Sequence, residues 1–358
     1  MTALRPLVAL GMFVLLPVMS SACRGTAPSR LSSGSSPRSL PVEALMRERV
    51  RVLVVDSGVT ATIVEPETLD PTRAIELILY ALPNGNSTAE TMGRTPRDSA
   101  EWRYDIQHIA AQTRLLRARG LTQAVVVYLE AAGKSWPEWR RVRGYPEANA
   151  RIGRMVDRLR QDVLDADSRR RHTLVKVTLT GHSGGGSFMF GFIEGQEAIP
   201  PWVERIAMLD ANYNFAAVHG PPLQAWLNAA SSHTLVVLAY DDREIMLDGK
   251  KVVSDSGGTW RASQRMIDWF TPRRPLTRDI VGDFQHWRDA SGQVELWRHT
   301  NPANRILHTE LVGEMNGYVY AMLTGRPKPV IPLAMPGPPR VYQELVSRVE
   351  FSRLDRDI

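Results

Sequence analysis

Short apolar runs at residues 50–56, 60–64, 75–82, 124–129, 174–180, 205–210 and 235–240 alternate with longer stretches of helical periodicity. The runs are rich in Val, Ile and Leu and mostly unbroken by polar residues, the pattern of strands covered on both faces. The first two flank Ser57-Gly58 and read as an antiparallel pair. Helical spacing is clearest over 102–119, where Ile106, Ile109, Ala110, Thr113, Leu115 and Leu116 form one apolar side and Gly120 ends the run. Similar spacing predicts helices over 148–164, 261–270, 318–323 and 341–349, with helical or loop material at 221–229. Residues 305–307 are expected to form the last strand. Strands alternating with helices imply an α/β fold, a mostly parallel sheet with helices on both faces.

One turn in this pattern carries chemistry. Gly181-His182-Ser183-Gly184-Gly185-Gly186 joins the strand at 174–180 to an apolar run containing Phe188, Met189, Phe190, Phe192 and Ile193. This is G-x-S-x-G between a strand and a helix, the context of a nucleophile elbow. A serine hydroxyl needs a neighbouring base and an exposed perch to act as a nucleophile. Gly181 and Gly185 relieve the Cβ crowding of so tight a turn. The Gly184 N–H, at the start of the helix, is placed to meet a developing oxyanion. An elbow on the fifth strand, after an opening hairpin, resembles the α/β-hydrolase superfamily over residues 46–325.

That resemblance implies the chain order nucleophile, acid, histidine, with an esterase or lipase-like activity as the expectation. The acid is expected after the strand at 235–240, where Asp241 and Asp242 follow Tyr240. Asp242, deeper in the loop, is preferred, with Asp241 as the alternative. Asp210, ending the preceding strand, is read as a residue lining the pocket. The base must come late in the chain. His286 and His299 flank a hairpin turn at 289–292, whereas His308 precedes a loop and the helix at 318–323. His308 is therefore the expected base and His299 its alternative, and His182 is expected to pack beneath the site. The second oxyanion donor is expected from the turn Pro83-Asn84-Gly85-Asn86, as Gly85 or Asn86, although Asn-Gly also suits an ordinary turn. Trp136, Trp139, Trp260, Trp287 and Trp297 either line a sugar- or aryl-binding cleft or pack in the core.

Composition changes this picture mainly at the N-terminus. Residues 1–22 carry Arg5, an apolar stretch from 7 to 19 and the small residues Ser20, Ser21 and Ala22, the layout of an export signal. The single cysteine of the chain, Cys23, follows directly. This resembles a bacterial lipoprotein signal in which Cys23 is lipidated, although Ser20 stands where such signals carry leucine. Cleavage by an ordinary signal peptidase, giving a secreted or periplasmic protein, is the alternative. Residues 23–45, rich in Ser, Pro, Gly and Arg, read as a tether between a membrane anchor and the hydrolase domain at 46–326. Residues 327–358 read as a proline-rich strip and terminal helix. The expected location is the cell envelope, on an outer membrane and facing the periplasm. Of 358 residues 43% are hydrophobic, enough for a large core. The net charge of +6 comes from scattered arginines without an extended basic stripe, so no nucleic-acid partner is expected. The chain contains no H-E-x-x-H, EF-hand or Walker string, and no metal or other cofactor is expected.

Overall fold

The computed structural model describes residues 42–328 and 330–348. The signal and lipidation expectations at 1–23, and most of the tether, lie outside them. Among the described residues, twelve strands follow in chain order: β1 (Glu48–Asp56), β2 (Val59–Pro66), β3 (Ile75–Ala81), β4 (Ala124–Ala131), β5 (Val175–His182), β6 (Val203–Leu209), β7 (Thr234–Tyr240), β8 (Met246–Leu247), β9 (Lys250–Lys251), β10 (Leu276–Val281), β11 (Phe284–Asp289) and β12 (Val294–His299). β8 and β9 pair only with each other. The other ten form one sheet in the order β1-β2-β4-β3-β5-β6-β7-β12-β11-β10. β1 and β2 pair antiparallel across the Ser57-Gly58 turn, and β2 runs antiparallel to β4. From β4 through β3, β5, β6 and β7 to β12 every pairing is parallel. An opening antiparallel pair, a crossed parallel sheet and a serine turn after the fifth strand make up the α/β-hydrolase fold.

Nine helices accompany the strands: α1 (Val42–Leu45), α2 (Thr88–Met92), α3 (Ile109–Ala118), α4 (Trp136–Arg143), α5 (Tyr145–Asp165), α6 (Gly186–Glu194), α7 (Gly220–Ala229), α8 (Thr259–Phe270) and α9 (Gly317–Leu323) are those among the described residues. Strand side chains alternate between two cores, as the two-residue period requires. Leu77 and Leu79 of β3 join α5, α6, α7 and α8 on one face, while Ile78 and Tyr80 join α3 and α9 on the other. Each buried Leu or Ile contributes on the order of 2 kcal/mol of transfer free energy. The unbroken apolar runs follow from this double burial.

Three predicted elements differ. Residues 305–307 form no strand, because the Asn301 side chain takes up the backbone there: its Nδ2 donates to Arg305 O at 2.8 Å, and Arg305 N donates to its Oδ1 at 3.1 Å. The last strand of the parallel run is instead β12, which pairs with β7 and is followed across the sheet by β11 and β10. The predicted helix over 102–119 is two pieces. A 3-10 segment, Ser99–Asp105, precedes α3, and His108 between them has φ +50°. Buried polar anchoring explains the break, since Gln107 accepts from Tyr80 Oη at 2.7 Å and His108 Nε2 meets Asp105 at 2.7 Å. At 341–349 the described residues hold only the 3-10 turn Gln343–Leu345. Residues 42–45, expected in the tether, form α1 with Leu45 buried.

Candidate active site

Ser183 sits at the end of β5 with φ +53°, in the left-handed region that costs a non-glycine residue free energy. The turn holds it there because glycines stand two residues to either side. A Cβ on Gly181 would lie 2.7 Å from Ala81 O, and one on Gly185 would run into the same carbonyl. Ser183 is half-buried and lines a cavity of about 330 Å³ with Asn84, Pro137, Tyr145, Gly184, Ser187, Ala211, Tyr213 and Asn214. The Tyr213 hydroxyl reaches the Ser183 side chain; burial, and then the charge of Asp210, hold that phenol in its neutral form.

His308 comes from the loop between β12 and α9 and lies over the ends of β5 and β6. The His182 ring packs against its ring, with centroids 4.4 Å apart. His182 Nε2 also lies 2.9 Å from His308 O, and because a carbonyl can only accept, that nitrogen carries the proton. Burial, followed by the neighbouring His308, pushes the His182 imidazole well below the usual histidine range, so it stays neutral. His182 therefore packs beneath the site and fixes the loop of His308.

The carboxylate on His308 Nδ1 belongs to Asp210, where Asp242 was expected. Sheet order supplies the reason. β6 lies directly beside the elbow strand, and Asp210 follows its last residue with φ +46°, whereas β7 is one strand farther away. Asp242 is buried behind this pair. Thr259 joins the two acids: its hydroxyl donates to Asp210 Oδ1, and its N–H donates to Asp242 Oδ2 at 2.8 Å. Burial, and then the charge of Asp210, push the Asp242 carboxyl up to about 6. Its Oδ1 is buried without a hydrogen bond. Asp241 points away, with Oδ2 2.6 Å from Arg243. His299 ends β12, where its Nδ1 accepts from Asn301 N at 3.0 Å, and His286 stacks on Trp297 with centroids 3.9 Å apart.

The oxyanion expectations divide. Gly184 lies in the first turn of the helical segment after Ser183, where helical geometry leaves N–H groups unpaired. Gly85 and Asn86 do not take the expected place: Gly85 N donates to Lys134 O at 2.9 Å and Asn86 N lies 3.5 Å from Pro83 O. The Gly85 N–H is thus already engaged by a neighbouring segment. Asn84 is the residue of that loop which lines the Ser183 cavity, with its side chain packed on Gly184. Trp136, Trp139 and Trp297 are buried in the core, while Trp260 is partly exposed.

A second cavity, of about 310 Å³, opens at the opposite ends of the strands. Its Lys176–Glu204 and Arg326–Glu76 pairs, at 3.1 Å and 2.8 Å, satisfy one another. Among the described residues no cluster of His, Cys, Asp and Glu is suited to a metal ion, and no helix is long and apolar enough to cross a membrane.

No family model and no curated protein matches this chain. Similar solved structures include a thermostable esterase, at 11% identity and TM-score 0.42, over 73% of this chain and 56% of the other. The chain thus spans little more than half of that esterase. An uncharacterised protein from Capnocytophaga ochracea is 12% identical over 77% of this chain and 64% of its own, with TM-score 0.43. An esterase from the planctomycete Thermogutta terrifontis is 10% identical over 72% of this chain and 84% of its own, with TM-score 0.38.

Proposed function

We propose that this chain is a serine hydrolase that cleaves an ester through an acyl-enzyme. The observation that carries this reading is the His308–Asp210 pair, seated against the elbow that holds Ser183 in a left-handed backbone conformation. In this mechanism His308 takes the Ser183 proton through Nε2 as the hydroxyl attacks the acyl carbon, and later returns it to the leaving oxygen. Asp210 orients the imidazole and stabilises the imidazolium. The N–H groups of Gly184 and Asn84 bind the oxyanion. His182, which holds the His308 carbonyl, keeps the base in register.

The cavity favours small acyl groups. Asn84, Ser187, Asn214, Tyr145 and Tyr213 line it beside Pro137 and Ala211, and its volume of about 330 Å³ lies at the small end for a ligand pocket. An ester in the cell envelope is the substrate class we propose, reached by a protein exported through residues 1–22 and anchored in the membrane by lipid on Cys23.

Labelling with a fluorophosphonate tests the assignment. Wild type should be labelled and Ser183→Ala should not, with both folded by circular dichroism. Acetyl esters should be turned over faster than octanoyl esters. Equal labelling of the two proteins moves the nucleophile elsewhere. Labelling of neither makes the fold a non-catalytic scaffold, and faster cleavage of anilides than of esters makes the enzyme a peptidase.

A further inference from the structure

Arg243, Trp260, Arg261, Gln264 and Arg265 line a groove of about 350 Å³. Behind it stands Arg298, only 2% exposed, with its guanidinium carbon 3.7 Å from the centre of the Trp260 ring. Arg298 Nη1 donates to Gln264 Oε1 at 2.9 Å, while its buried Nε has no acceptor. A buried guanidinium ordinarily has a carboxylate partner. Among the described residues, Arg261, Arg265 and Arg298 form no ion pair. Arg261 donates to the carbonyls of Ser254 and Gly257, at 3.2 Å and 3.1 Å, and Arg265 donates to those of Phe215 and Tyr213, both at 3.0 Å. The carboxylates near these arginines are engaged: Asp241 with Arg243 at 2.6 Å, Glu244 with Lys251 at 3.3 Å, Asp242 with Thr259 N at 2.8 Å, and Asp268 with Gln264 at 2.8 Å. The groove itself is lined by three arginines, with Arg298 behind them and no carboxylate in its wall, which leaves it positive.

Hydrogen bonds and chain neighbours tie the walls of the groove to the reaction centre. Arg265 holds the carbonyl of Tyr213, whose side chain walls the Ser183 cavity, and Trp260 follows Thr259, which donates to Asp210. We propose that this groove binds an anionic group, carboxylate or phosphate, carried by the ester that Ser183 cleaves. The inference rests on the hydrolase reading and narrows its substrate to acidic esters. Guanidinium groups suit such a ligand because their N–H forks match its paired oxygens.

The test compares phenyl acetate with 4-acetoxybenzoate, which differ by one carboxylate, in wild type and in the double variant Arg243→Gln/Arg261→Gln. The variant should lose at least about tenfold in kcat/KM on 4-acetoxybenzoate and stay within about twofold on phenyl acetate. The wild-type ratio of the two should fall as sodium chloride is raised. Equal effects on both esters, or none on either, overturn the proposal. A failure of the hydrolase reading is separable: if neither ester is cleaved, benzoate is titrated against tryptophan fluorescence, with Trp260→Phe as control. Quenching that the double variant loses keeps an anion site in the groove, whereas its absence removes the site altogether. Inorganic phosphate that quenches Trp260 without competing against 4-acetoxybenzoate assigns the groove to a free anion and overturns the substrate subsite.

Discussion

Thr259 brings two buried aspartates together, yet one of them, Asp210, contacts the imidazole of His308. Asp210→Asn should therefore lower kcat on a short acetyl ester by about four orders of magnitude, as the loss of a triad acid does. His308→Ala should cost about three or more orders, and His299→Ala less than about tenfold, because His299 is engaged by the backbone of Asn301. A dead His299→Ala enzyme would contradict the assignment of the base. Asp242 leads to a different expectation. Its carboxyl is raised to about 6 by burial and by Asp210, above the range of an unfolded aspartate. The native state therefore holds a proton that the unfolded chain releases in the window from about pH 4 to about pH 6. The contribution is favourable at the acid end of that window and is lost as pH rises through about 6. Asp242→Asn, which keeps an acceptor for Thr259 N–H, should raise Tm at pH 8, by up to about 3 kcal/mol in stability, and leave it nearly unchanged at pH 4. Melting curves at the two pH values decide it; a Tm gain that is the same at both removes the buried ionised carboxylate as its cause.

At the scale of elements, the site depends on how closely the turn after β5 approaches the end of β3. A Cβ at Gly185 would meet the Ala81 carbonyl, part of a backbone that cannot rotate away. Gly185→Ala should destabilise the protein by about 2–4 kcal/mol and slow fluorophosphonate labelling at temperatures where the variant is still folded. Unchanged stability and labelling in thermal and kinetic assays would show that the turn has slack. The same close approach is why this turn could be recognised in the sequence, since glycines were required at 181 and 185. The helix boundary at His108 was not legible. Apolar spacing continues through 102–119, but Gln107 and His108 find partners in Tyr80 and Asp105 that periodicity does not reveal. The last strand was misplaced for a related reason, because Asn301 supplies by side chain the bonds that a neighbouring strand would have supplied to Arg305.

For the molecule as a whole, Cys23 leads to the prediction that reaches beyond the fold. Expressed in a Gram-negative host, wild type should fractionate with membranes and incorporate labelled fatty acid, and Cys23→Ser should do neither. A soluble wild type would mean that Ser20 had diverted the signal to ordinary cleavage. The alternation of strands and helices, the elbow at Ser183 and the candidacy of His308 could all be read from the chain, because strand burial, turn sterics and chain order leave local marks. The partner of that histidine left none. Asp210 and Asp242 both follow apolar strands, and which of them lies beneath the imidazole depends on β6, not β7, being the neighbour of β5. The engagement of Gly85 N by Lys134 O has the same character, since it depends on where the chain brings residue 134 and not on the residue types of the turn. The arginine groove is also a product of tertiary structure. Arg261 and Arg265 share α8, whereas Arg243 and Arg298 come from the ends of β7 and β12, and their shared charge exists because the sheet gathers those ends beside α8. Local pattern encodes which residues are buried, while long-range pairing determines which polar groups meet.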